Sequence, residues 1–194
     1  MKLILGSSSI GRQEILRRAG HSFEIIKPEI DEQAIRCDNP RELVVKLANA
    51  KADAILEKLG LNIDPDTIII TSDQVVVCNG QVLEKPKDEH EARYFISLYH
   101  QYPAEIVNGL VLTNTKNQRA QGLDVSETLL SEAIPTELIN QIIAKGQIFN
   151  CAGAIQFDDP LIAPYIKFLN ASEDKLRGLP LELFTKLLSE LTNK

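Results

Sequence analysis

Two hydrophobic periods share this chain. Lys2 to Leu5 is apolar and gives way at once to small polar residues, after which Ile15, Leu16 and Ala19 recur at helical spacing before Gly20. That pattern predicts a strand, a loop and a helix with a glycine stop. Phe23 to Ile26 reads as another strand, closed by Pro28. Asn39-Pro40 then opens the clearest helix: an N-cap residue, proline at the first helical position, and Leu43, Val44, Leu47, Ile55 and Leu59 on one side before Gly60.

The stretch "DTIIITSDQVVVCNGQVLEKP" is β-rich, with two apolar runs flanking Ser72-Asp73-Gln74 and a tight-hairpin signal at Asn79-Gly80. Asp88 reads as the cap of a helix carrying Ala92, Phe95, Ile96 and Tyr99. Strands are expected at about Glu105 to Thr113 and Ala120 to Leu129. A helix after Pro135 should stop at Gly146, and a last amphipathic helix should run from Leu181 to Leu191, entered through Gly178-Leu179-Pro180. Strands and helices mix without strict alternation, which points to an α/β or α+β fold with a mixed sheet.

Composition narrows the picture. The 194 residues, 44% hydrophobic and 25% charged, suit one globular domain over residues 1–194, and with no Trp, four Tyr and six Phe its core must be aliphatic. A net charge of -6 argues against general electrostatic binding of a nucleic acid polymer, which needs a basic face, but leaves room for a local basic pocket that holds a small polyanion. Cys37, Cys78 and Cys151 are odd in number and widely spaced, so neither a disulfide framework nor a zinc site is expected. The apolar run after Met1-Lys2 is too short for a signal peptide and no later run approaches a membrane span. The expected protein is cytoplasmic and independent of membranes.

Three features carry candidate chemistry. In "GSSSIGR" the strand-to-helix loop turns backbone N–H groups toward any anion, Gly6 and Gly11 allow close approach, and Arg12 brings forked donors suited to phosphate. An ordinary N-cap with a solvated arginine accounts for the same residues, and the P-loop pattern is absent. Asp73 lies inside an apolar run typical of a strand buried on both faces, where an unpaired carboxylate costs on the order of several kcal/mol. A metal ion, a basic neighbour or a strand break would compensate it. Lys51 falls four residues after Leu47 and four before Ile55, at the edge of an apolar stripe from which lysines commonly snorkel to solvent. With Lys85 of "EKP" and Glu32 of "PEIDEQ", the set supplies three cations and two acids, the inventory of a metal-triphosphate site.

In order along the chain, "LILGSSSIGRQEILRRAG", "PEIDEQ", "VVKLANAKADA", "TSDQVV", "NGQVLEKP", "NCAGA" and "GLPLEL" resemble the blocks of the Maf, or septum-formation, family of nucleotide pyrophosphatases. The resemblance implies an inosine-triphosphatase-like α/β fold, a β-sheet core flanked by helices with a cleft between two lobes. It implies hydrolysis of nucleoside triphosphates between the α and β phosphates, dependent on a divalent metal cation, magnesium or manganese. It also implies a homodimer.

By position, the resemblance makes Asp73 the catalytic acid, Ser8, Arg12, Lys51 and Lys85 substrate-binding, and Glu32 with Asp73 the metal-binding pair. Gly11, Gln74 and Asp158 fall on the family's specificity points. Gln74 in "SDQV", together with "NCAGA", resembles the branch acting on 7-methyl-GTP, although Gly11 stands where that branch carries a large side chain and "FDDPLIAPYI" replaces its glycine-rich loop. Two other readings stand beside it: the same chemistry on dTTP, UTP or another pyrimidine nucleotide, and a non-catalytic nucleotide-binding protein that regulates septum formation.

Overall fold

Residues 1–60, 63–130, 132–157 and 159–192 are described by a computed structural model. The chain forms two compact units, one from Met1–Gln74, Asn108–Asp124 and Glu173–Lys194, the other from Val75–Val107 and Val125–Ser172.

The first unit follows from its hydrophobic pattern. Strand β1 (Lys2–Leu5) is followed by helix α1 (Ile10–Arg18), strand β2 (Glu24–Ile25) and helix α2 (Pro40–Leu59), and β1 pairs in parallel with both β2 and β3 (Thr67–Cys78). Parallel neighbours require crossover connections, which α1 and α2 supply. Strands β5 (Ala104–Asn114) and β6 (Arg119–Leu130) extend the order to β2-β1-β3-β5-β6. β1 and β3 are buried on both faces. Leu3, Leu5, Ile68 and Ile70 pack with Ile15 and Leu16 of α1 and with Phe184, Leu187 and Leu191 of helix α6 (Leu181–Thr192). Ile4 and Ile69, one residue out of phase, pack instead on Ile55 of α2. The two-residue strand period thus sorts side chains to opposite layers.

Glycine is needed where α2 meets the strands. A Cβ at Gly109 would lie 2.7 Å from the Val44 carbonyl, and one at Gly6 would lie 2.4 Å from Ile55 Cδ1. The cap signals of α2 form as read: the Asn39 side chain accepts from Arg41 N at its start and Gly60, with φ 62°, ends it.

In the second unit the strand order is β4-β3-β5-β6-β7, with β4 at Gln81–Leu83 and β7 at Ile166–Phe168, both pairings at the margins antiparallel. Asn79 and Gly80 take φ of 49° and 73°, the pair of positive angles a type I′ hairpin turn requires. Helix α3 (Glu89–Leu98), capped by Asp88, and α4 (Thr136–Lys145) enclose a core of Val76, Leu83, Phe95, Ile142 and Ile162.

Ser72-Asp73-Gln74 do not divide the β-rich stretch. β3 runs unbroken through them for twelve residues, so the strand break offered as one remedy for Asp73 does not occur. β7 and the single-turn helix α5 (Glu173–Leu176) lie where no periodicity was legible, each being too short to display one. Cys37, Cys78 and Cys151 form no disulfide. Among the described residues no helix is long and apolar enough to cross a membrane.

Candidate functional site

Parity along β3 organises the first unit's polar residues. Ile69, Thr71 and Asp73 share the side facing α2: Ile69 packs on Ile55, Thr71 Oγ1 donates to Ala48 O at 2.8 Å, and Asp73 meets Lys51. Ser72 and Gln74 turn to the opposite side, toward the segment after α5. Ser72 Oγ donates to Gly178 O at 2.7 Å, and Gln74 Nε2 donates to Leu176 O at 3.0 Å.

The basic neighbour of Asp73 is Lys51, whose Nζ lies 2.5 Å from Asp73 Oδ1 and 2.9 Å from Glu32 Oε1. Lys51 does not snorkel to solvent; it is buried at 7% exposure. Glu32 is exposed and comes from a short turn at Glu32–Ala34, where the Asp31 carboxylate accepts from Gln33 N and Ala34 N. Asp31 therefore fixes the turn that aims Glu32. Burial raises the pKa of Asp73 above the ordinary carboxylate value; Lys51 and then Arg12 pull against that rise, and Glu32 adds to it.

Arg12 stands in the first turn of α1. Ser9 caps the helix by accepting from Arg12 N, and the buried Ser7 hydroxyl accepts from Ser9 N at 3.1 Å. Arg12 Nη1 donates to Ser72 O at 2.8 Å and to Ser7 Oγ at 3.4 Å, while Nε is buried with no hydrogen-bond partner. Burial lowers its pKa, opposed by the charges of Asp73 and Glu32, but an arginine stays cationic. The Nε edge lies against the backbone of Gly178, where a Cβ would come within 2.9 Å of Nε.

The remaining predicted residues fall as follows. Ser8 is exposed at the loop crest, one residue from the inward-turned Ser7. At Gly11 a Cβ would lie 3.3 Å from Arg177 Cβ, so the absence of a side chain accommodates the arginine stem. Lys85 is exposed in the second unit, two residues after β4. Its "EKP" motif meets "NCAGA" there: Gly153 N donates to Glu84 O at 3.0 Å, and the buried Tyr99 hydroxyl donates to Gly153 O at 2.6 Å. Asp158 lies outside the described residues.

Sequence reasoning passed over Ser7, Ser72, Asn108 and Gly178. Asn108 is fully buried within the run "IVNGLVL", the same signal of a polar residue among apolar ones that drew attention to Asp73. Ser7 and Ser72 differ from their neighbours in which way they turn, Ser72 by its place in the register of β3 and Ser7 by the loop before α1.

Glu32 and Asp73 place carboxylate oxygens on one common cation, the Lys51 ammonium. Among the described residues no group of three or more His, Cys, Asp or Glu is arranged to hold a metal. Two carboxylates supply oxygen donors of the kind a hard divalent ion takes when water and phosphates complete its shell.

Comparison with known proteins finds relatives along nearly the whole chain. A 7-methyl-GTP pyrophosphatase of Dictyostelium discoideum is 34% identical over 98% of this chain and 97% of its own length. A 7-methyl-GTP pyrophosphatase of Idiomarina loihiensis is 32% identical over 93% and 89%, and a dTTP/UTP pyrophosphatase of Clostridium novyi is 30% identical over 98% of each chain. The family model described as Maf-like protein matches residues 2–191. With nearly the whole chain inside that match, the chain belongs to the Maf family.

Proposed function

We propose that the protein is a nucleoside triphosphate pyrophosphatase that cleaves the α–β phosphate bond of non-standard nucleotides, with 7-methyl-GTP as preferred substrate. The observation that carries the reading is the Arg12 guanidinium in the first turn of α1, in the same unit as a Lys51 ammonium shared by Asp73 and Glu32. Cations and a helix N-terminus suit a triphosphate, and carboxylates suit the activation of water.

In this mechanism Arg12 and Lys51 hold the phosphates and stabilise the charge that develops on the departing group. Ser8 adds a further donor, and Lys85 is a substrate-binding residue by the family resemblance alone. Asp73, with its raised pKa, takes a proton from water as the water oxygen bonds to the α-phosphorus. The bridging P–O bond breaks and pyrophosphate leaves with its electron pair. Glu32 and Asp73 would hold the divalent ion, which when bound supplies charge neutralisation and activates water. Among the specificity positions, an acid at Asp158 suits a purine made cationic by methylation.

The second reading, dTTP or UTP as substrate, is favoured by the Clostridium novyi relative. A magnesium-dependent assay of 7-methyl-GTP, GTP, dTTP, UTP and CTP, separating pyrophosphate from phosphate release, tests both. Pyrophosphate mainly from 7-methyl-GTP supports the first reading, and pyrophosphate mainly from a pyrimidine nucleotide replaces it with the second. No release from any of them overturns the enzyme.

A further inference from the structure

Gln74 falls on a position the family resemblance associates with choice of base, yet its side-chain amide is already committed. Nε2 donates to Asn108 Oδ1 at 3.0 Å, to Leu176 O at 3.0 Å and to Lys175 O at 3.2 Å, so two N–H groups face three acceptors. Asn108 Nδ2 in turn donates to Lys175 O at 2.9 Å. The orientation of both amides is set by these carbonyls, because reversing either would point an amide oxygen at a carbonyl oxygen. Nothing is left on the Gln74 nitrogen to donate to a base.

The carbonyls belong to the end of α5, whose last C=O groups have no partner inside the helix. Two residues on, Gly178 has φ 83°, and its carbonyl accepts from Ser72 Oγ at 2.7 Å. A Cβ at Gly178 would lie 2.9 Å from Arg12 Nε and 3.0 Å from Nη2, so the backbone of this segment lies against the guanidinium. On its other side Arg12 is held by Ser72 O. Arg177, next to Gly178, pairs with Glu14 of α1 at 2.5 Å, and Lys175 pairs with Asp124 of β6 at 2.9 Å.

We infer that Gln74 and Asn108 are positioning residues: as a carboxamide pair they latch the Lys175–Gly178 segment, and that segment holds the Arg12 fork in the orientation that receives the triphosphate. Through Arg12, Gln74 then bears on phosphate binding for every nucleotide alike. The inference rests on Arg12 being a triphosphate ligand.

The test uses a probe with no base. Calorimetric binding of tripolyphosphate with magnesium is compared in the parent, Arg12→Ala, Gln74→Ala, Asn108→Ala and the Arg12→Ala double variants. The latch predicts a loss of about tenfold in affinity for Gln74→Ala and for Asn108→Ala, the scale of one charge-assisted contact. Neither substitution should cost anything further in the Arg12→Ala background. In turnover, Gln74→Ala should raise KM by a similar factor for 7-methyl-GTP, GTP and UTP and leave their ratios within about twofold. A changed ratio among bases, with tripolyphosphate affinity intact, overturns the latch alone and returns Gln74 to base recognition. Equal affinity in the parent and Arg12→Ala overturns the Arg12 reading and the latch with it. Should Asn108→Ala fail to fold, the half-buried Gln74 variant decides the same outcomes.

Discussion

Lys51 Nζ lies 2.5 Å from Asp73 Oδ1, and both side chains are buried on the α2 side of β3. One cation is thereby shared between the carboxylate inside the strand and Glu32 on its exposed turn. Lys51→Met leaves Asp73 buried with Arg12 as its main remaining compensation. The expected loss is about 3 kcal/mol, the lower end for a broken buried pair, together with loss of turnover. Urea denaturation and the pyrophosphate assay measure the two, and an unchanged denaturation midpoint would show that the pair contributes nothing to the fold.

The raised pKa of Asp73 has a definite sign. In the folded protein the carboxyl binds its proton more tightly than the ordinary value of 3.8, so across the interval between that value and the raised one the native state holds more protons than the unfolded chain. Its contribution to stability is present below the ordinary value and is lost as pH rises through the folded pKa. The parent should therefore lose stability relative to Asp73→Asn as pH rises through that interval, followed by chemical denaturation at several pH values. Asp73→Asn should abolish pyrophosphate release, and retained turnover in the magnesium assay would remove Asp73 from the role of base.

Asp159 behaves in the opposite sense. Burial works against its ionisation, but the Lys145 ammonium at 2.7 Å and the Leu161 N–H at 2.8 Å outweigh it, and its pKa is lowered. This stabilisation is present above the ordinary aspartate value and is lost as pH falls through the lowered one. Asp159→Asn should destabilise the protein by about 1–2 kcal/mol at neutral pH, since Lys145 is partly solvated. The difference from the parent should shrink on acidification, and thermal unfolding at neutral and acidic pH checks it.

Gly153→Ala should be among the more damaging single-methyl changes in the second unit. The residue has φ 68°, and a Cβ would fall 2.2 Å from the Tyr99 hydroxyl oxygen, which donates to the Gly153 carbonyl. Backbone strain and overpacking together predict a loss of more than about 2 kcal/mol, against about 1 kcal/mol for Tyr99→Phe, which removes the hydrogen bond alone. Thermal midpoints of the two variants compare them directly.

Removal of divalent metal by a chelator should stop turnover, and added magnesium should restore it. Glu32→Gln should raise the magnesium concentration needed for half-maximal rate by about tenfold, with little effect on stability, because Glu32 is exposed and its loss leaves Asp73 to hold the ion. A magnesium titration of parent and variant measures this, and full activity in excess chelator would end the metal assignment.

The sequence by itself determined the elements and the inventory of the site. The Asn39-Pro40 start and Gly60 stop of α2, the Asn79-Gly80 turn and the doubly buried run around Asp73 are local signals, set by φ preferences, caps and period, and they need no partner to be read. Asp73, Arg12 and Lys51 stood out because charge or close approach at those positions conflicts with the surrounding pattern. Only the tertiary structure decided what answers each conflict. Whether Lys51 reaches solvent or Asp73 depends on α2 lying against one side of β3, and whether Gln74 faces a ligand or the Lys175 and Leu176 carbonyls depends on a segment a hundred residues away in sequence. A strand's period says that neighbouring side chains point oppositely; it carries no information about which distant segment waits on each side. For that reason Ser72 and Gly178, which hold Arg12 or the segment against it, became visible only once the chain was folded.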